Sequence, residues 1–208
     1  MVALRGCPLK VTSMNKLLAS LIFGLTAWSG AYAAEETSAF YPLIGFGLTF
    51  GGTTLANVQY VNGNSCNIHA GGLGDVYAGV DYRRGPVSLQ VSAGYHFDTC
   101  DGSNGSLRFS RYPVELLAYY GFGENWRAGG GVRFVMDPHI SGSGVAGGTD
   151  VKFRSATGAV LEGEYLLSRT GWAQFGFKLR YVFEHYQPEF GGASVTGNHV
   201  GLLVNTYI

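Results

Sequence analysis

Residues 87–98 alternate between two kinds of side chain: Val87, Leu89, Val91, Ala93, Tyr95 and Phe97 in one set, Ser88, Gln90, Ser92, Gly94, His96 and Asp98 in the other. In an extended chain successive side chains point to opposite faces, so the stretch predicts a strand with one apolar and one polar face. Its length suits the roughly 9–11 residues that a tilted strand needs to cross the hydrocarbon core of a bilayer.

The same alternation predicts strands over residues 41–52, 74–83, 87–98, 108–122, 126–137, 151–167, 173–184 and 199–208. Tight turns are expected at Arg84-Gly85-Pro86, Gly123-Glu124-Asn125 and residues 168–171, and longer polar loops over 53–71, 99–106, 141–150 and 187–197. Pro113 lies inside the fourth strand and predicts a local bulge there.

An even number of strands, with short turns alternating with long loops, predicts an all-β fold: an eight-stranded antiparallel up-and-down transmembrane β-barrel. Only a helix or a closed, edgeless barrel satisfies every backbone donor and acceptor within lipid. A soluble eight-stranded barrel would instead pack the bulky set into a narrow core and expose the glycine-rich, charged set.

Aromatic positions favour lipid. Tyr82, Tyr120, Phe122, Trp126 and Tyr165 fall near the short turns on the apolar face, and Phe50, Phe97, Tyr112, Phe153 and Phe183 near the loops. Two bands of rings at opposite ends match the preference of amphipathic rings for membrane interfaces.

Composition narrows the class further. Glycine, at 33 of 208 residues, is more than twice as frequent as the usual share of about 7%. With 14% aromatics, disorder and collagen are poor readings, and strands joined by tight turns fit better. Fourteen basic and 14 acidic residues cancel, which leaves no electrostatic footprint for nucleic acid.

Near the N-terminus, Lys16, the apolar run 17–28 and Ala31-Tyr32-Ala33 read as an export signal, residues 1–33, cleaved between Ala33 and Ala34. Translation can start at Met1 or Met14. Residues 34–208 form the barrel domain. Export leaves Cys66 and Cys100 as an even pair in an oxidising compartment, expected as a disulfide joining the first two loops.

The polar face carries the candidate chemistry. Its basic residues are Arg83, Arg111, Arg127, Arg133, Lys152, Arg154, Lys178 and Arg180; its acidic residues are Asp75, Asp81, Asp98, Glu115, Asp137, Glu162, Glu164 and Glu184. If Phe122 and Trp126 flank the second turn, Glu115 falls opposite Arg133; if Leu167 pairs with Ala173 across the third, Glu162 falls opposite Lys178. Eight strands leave little lumen and buried charges persist when paired, so these groups are expected to form a salt-bridged plug rather than an open ion pathway.

His96 with Asp98, His139 with Asp137, and His199 are inward positions near the loops, a set too loosely spaced to predict a metal site. No Gly-x-Ser-x-Gly elbow occurs, and nothing in the sequence brings Ser110 to His185 on the lipid side, so no catalytic residue and no cofactor are expected.

In this layout the mature chain resembles the small eight-stranded outer-membrane proteins of Gram-negative bacteria, of the OmpX, OmpW and NspA type. The resemblance lies in the strand pattern rather than in a signature motif. Members usually end in an aromatic residue read by the barrel-assembly machinery, whereas this chain ends Asn205-Thr206-Tyr207-Ile208. It implies a protein integral to the outer membrane, with both termini in the periplasm. Its expected partners are outer-membrane lipids, lipopolysaccharide and, during biogenesis, the assembly machinery. Its role would be structural or surface-interactive. Narrow solute passage of the OmpW kind is the alternative, and lipid A modification comes third.

Overall fold

A computed structural model describes residues 39–60 and 64–208. The expected export signal and its Ala33–Ala34 cleavage point lie outside the described residues. The strands are β1 (Ala39–Gly51), β2 (Thr54–Gln59), β3 (Ser65–His69), β4 (Leu73–Arg84), β5 (Val87–Gly102), β6 (Gly105–Phe122), β7 (Trp126–Gly144), β8 (Asp150–Lys152), β9 (Ala156–Leu166), β10 (Gln174–Phe183), β11 (His185–Tyr186), β12 (Val195–Thr196) and β13 (His199–Tyr207).

Eight of them close into a barrel in the order β1, β4, β5, β6, β7, β9, β10, β13 and back to β1, each pair antiparallel. Closure leaves no barrel edge unpaired.

The barrel is polar within and apolar without. Phe46 is 61% exposed and Leu202 59%, whereas Gln90 and Arg133 are fully buried. Water would not sustain that inversion, but hydrocarbon does. The molecule has the architecture of a bacterial outer-membrane β-barrel.

The two ends differ because the connections do. At one end Gly85, Gly123 and Gly171 adopt positive φ (55°, 68° and 61°) and turn the chain within a few residues. The C-terminus lies at this turn end, where the Ile208 amide donates to the Pro42 carbonyl at 2.9 Å. At the loop end, segments expected as loops are ordered strand. Residues 53–71 contain the β2–β3 hairpin, and β5 and β6 run on to pair Gly102 with Gly105.

Three further expectations are corrected. The bulge lies not at Pro113 but on the opposing strand: β7 carries an extra residue near Asp137-Pro138, and Asp137 takes φ +46°. Pro113 itself pairs in register with Val135. The extra residue reverses which side chains point inward. Asp137 is therefore exposed and His139 half-buried, while Pro138 and Ile140 face in. Residues 151–167 do not form one strand, since the ladder breaks between β8 and β9. As a result Phe153 is buried instead of facing lipid, and Lys152 and Arg154 are exposed instead of lining the lumen.

Candidate functional site

Because alternate residues of every barrel strand face inward, the closed sheet delivers charged groups from all around the ring into one narrow space. Glycines make room for the longest of them. A methyl group at Gly45 would collide with the side chains of Tyr77 and Asn205, so Tyr77 can lie across the lumen only above glycine.

Near the turn end the hub is Arg127. Its Nε donates to Glu164 Oε2 at 2.6 Å, its Nη1 to Asp81 Oδ2 and Ser88 Oγ at 2.8 Å each, and its Nη2 to the Tyr207 hydroxyl at 2.6 Å. Arg83 shares Asp81 through its Nε at 2.7 Å. Tyr207 in turn donates to Glu164 Oε1 at 2.7 Å. Tyr207 thus points into the barrel while Ile208 faces out.

Arg180 is the hub of the middle layer. Its Nε donates to Glu162 Oε1 at 2.7 Å, its Nη2 to Glu115 Oε2 at 2.7 Å, and its Nη1 reaches Asp75 Oδ2 at 3.2 Å. Glu115 lies directly across from Arg133, and the two are paired at their Oε1 and Nη1 atoms. Glu162 does not lie across from Lys178 as expected. The third turn is set two residues differently, Gly176 pairing with Leu166, so Arg180 stands opposite Glu162 and Lys178 opposite Glu164. Lys178 Nζ still lies 3.0 Å from Glu162 Oε2, reaching along the barrel, and donates to Gln90 at 3.0 Å and the Tyr119 hydroxyl at 2.8 Å.

Toward the loop end His96 joins the column. Its Nδ1 lies 2.9 Å from Arg133 Nη2 and 3.0 Å from Arg111 Nη2, groups that only donate, so Nδ1 accepts. Its Nε2 lies 2.7 Å from Thr49 Oγ1 and 3.1 Å from Arg111 Nη2. The His199 ring packs edge-on against His96 with centroids 5.0 Å apart. Glu184 gathers Arg133 Nε at 3.1 Å and the Tyr186 hydroxyl at 2.6 Å. Asp98 stands slightly apart, accepting from the His69 amide at 2.7 Å. Asp137 is exposed with His139 half-buried beside it, His96 lies among arginines, and His199 Nδ1 lies 3.5 Å from Glu184 Oε1, so these histidines and carboxylates do not converge on one point.

Above this column lies an apolar cap that the alternation did not reveal. Ile68, Cys100, Phe109, Ile140, Phe153 and Tyr186 form its buried core, contributed by the β2–β3 hairpin, the outer ends of β5, β6 and β7, the residue after β8, and β11. The rings of Phe109, Phe153 and Tyr186 pack edge to face with centroids 5.7–6.3 Å apart. Burial pushes the Tyr186 phenol well above its ordinary range. The extra residue of β7 is what places Ile140 indoors, and because the alternation does not register it, the cap was not legible in the sequence.

Cys66 and Cys100 are bonded, their Cα atoms 5.9 Å apart, and tie the β2–β3 hairpin to the end of β5. Ser110 lies across from His139 on the barrel and His185 across from Thr196 in the small β11–β12 ladder, so the pairing does not bring Ser110 and His185 together.

Neither a family model nor a curated protein matches this chain in sequence. Among solved structures it is similar to Neisserial surface protein A, with TM-score 0.48 and 13% identity over 83% of this chain and 99% of that one. It is similar also to Ail, the attachment invasion locus protein of Yersinia pestis, solved with the heparin analogue sucrose octasulfate (TM-score 0.49, 12% identity, 83% and 98% covered). A third is the outer membrane protein AlkL (TM-score 0.45, 11% identity, 86% and 92% covered).

Proposed function

We propose that this protein is a non-conducting outer-membrane barrel that acts through its loop end. The observation that carries the reading is the filled lumen: three successive layers of ion-paired side chains centred on Arg127, Arg180 and Arg133, closed above by the Phe109–Phe153–Tyr186 cap. Charges paired inside a narrow barrel form a brace, and moving an ion past them would mean breaking those pairs.

In this reading the pairs of Glu115 with Arg133 and of Glu162 with Lys178 hold the lumen shut. The turn end and both termini face the periplasm, and the signal is removed between Ala33 and Ala34. The assembly machinery inserts the barrel, and the disulfide-tied loop end meets lipopolysaccharide or an external partner. Its role is structural or interactive rather than enzymatic, since the lumen groups are spent on one another.

The test is conductance of the purified, folded protein in a planar bilayer, with folding checked by its heat-dependent gel shift. A silent membrane is expected. Discrete steps that change in Glu115→Gln or Arg133→Gln would make the charged column a pathway and replace this reading with narrow solute passage.

A further inference from the structure

At the loop end, a cleft of about 790 Å³ opens between three structural parts. One wall is the β2–β3 hairpin with Tyr60, the second is the β5–β6 tip from Cys100 to Leu107, and the third is the turn holding Val145 and Ala146. The volume falls in the range of about 300–1,000 Å³ usual for ligand pockets.

These walls are braced against one another. The Cys66–Cys100 bond joins the first to the second, as does the Tyr60 hydroxyl donating to the Asp101 carbonyl at 3.1 Å. The Val145 amide donates to the Asn104 carbonyl at 3.0 Å, and the Ser106 and Ser143 hydroxyls meet at 2.9 Å, which fixes the third. A cleft so held needs little ordering when something binds.

The polar side chains left over are amides, hydroxyls and one carboxylate. Gln59, Ser65, Ser103 and Asn104 line the cleft with their side-chain groups unengaged, and Asp101 uses one carboxylate oxygen on the Thr99 hydroxyl at 3.2 Å. Among the described residues, no lysine or arginine lines it. Without a cation the cleft lacks the charge-assisted donors by which phosphate, sulfate and carboxylate are held. Amides and hydroxyls both donate and accept, which suits a ligand whose own groups do the same. Val58, Leu107 and Val145 add apolar patches between them.

From this combination we infer that the cleft binds an uncharged oligosaccharide, whose hydroxyl edges meet the free amides and hydroxyls while its C–H faces lie on the apolar patches. The inference deepens the proposed function, because it rests on the loop end facing outward and names the class of partner met there.

The experiment presents the full-length folded protein, in detergent micelles, to an array of uncharged hexose and N-acetylhexosamine oligosaccharides beside their sulfated and sialylated counterparts. Retention of uncharged glycans is expected, weakened about tenfold in Asn104→Ala or Gln59→Ala, each removing a hydrogen-bonding group. Ser103→Trp, which fills the cleft, should abolish binding while the gel shift shows an intact barrel. Retention of no uncharged glycan, preference for the charged counterparts, or binding untouched by Ser103→Trp would each overturn the inference. Orientation is read separately by labelling Gly148→Cys on intact cells with a membrane-impermeant maleimide. Absence of label would overturn the outward reading, and the array, run on purified protein, would still decide the cleft.

Discussion

Replacing Arg180 with methionine tests whether the lumen is held by its ion pairs. Methionine keeps most of the stem but removes the guanidinium that Glu162, Glu115 and Asp75 share at 2.7, 2.7 and 3.2 Å. Glu115 would retain Arg133, and Glu162 would retain Lys178 at 3.0 Å. Asp75 would be left with Arg133 at 3.9 Å, and its Oδ1 already has no hydrogen-bond partner. Removing one member of a buried pair costs about 3–5 kcal/mol, most of it for the charge left behind. With one carboxylate nearly orphaned and two still served, the expected loss lies within that range. It would be measured by urea unfolding of the barrel in lipid vesicles, followed by tryptophan emission and gel shift. Adding Asp75→Asn removes the stranded charge and should return about 1–3 kcal/mol. A loss below about 1 kcal/mol for Arg180→Met, or a double variant whose losses simply add, would refute the brace.

Phe109→Ala should cost about 3–5 kcal/mol by emptying the centre of the cap, read by the same unfolding assay. Cys66→Ser opens a link of 34-residue separation and should cost about 3–4 kcal/mol at most. Protease should then cut the β2–β3 hairpin while the gel shift of the barrel persists. Asp137→Gly should match or exceed the parent in stability because glycine adopts φ +46° freely, whereas Asp137→Val should cost about 1–2 kcal/mol; equal stabilities would show that the bulge is unstrained. Tyr186 is an acid whose folded pKa is raised, so its contribution is whole below the unfolded value of 10.0 and falls as pH rises beyond it. Tyr186→Phe should flatten that alkaline decline in unfolding free energy, and an unchanged slope would place the effect elsewhere.

Much of the barrel was legible because a strand's period is two and a membrane leaves the chain one tolerable sorting. Wherever the ladder is regular, the faces read from sequence are the faces observed: Ser88, Gln90 and Ser92 are buried, and Val87, Leu89 and Val91 are exposed. The pairing of Phe122 with Trp126 followed from a three-residue turn, and Glu115 across from Arg133 followed from that pairing. Pattern failed wherever a count changed by one or two residues. The extra residue at Asp137-Pro138 turned His139 and Asp137 outward and brought Ile140 inside. The third turn closed two residues away from the expected register and gave Glu162 to Arg180 as its cross-strand partner. Neither shift alters local composition, so neither leaves a mark in a single sequence.

The sequence by itself therefore determined the fold class, because alternation over strands of bilayer-crossing length, with charges on one face only, suits a closed barrel in lipid and little else. It determined the disulfide's members as well, through the bare number of cysteines left after export. Tertiary structure alone decided which charges meet. Arg127, Arg133 and Arg180 reach carboxylates on strands far from their own in sequence, and a guanidinium's partners depend on barrel closure, not on neighbours in the chain. It alone decided also that the loop end is capped and cleft. There, bulges, hairpins and a cross-link place side chains by three-dimensional reach, and reach has no period to read.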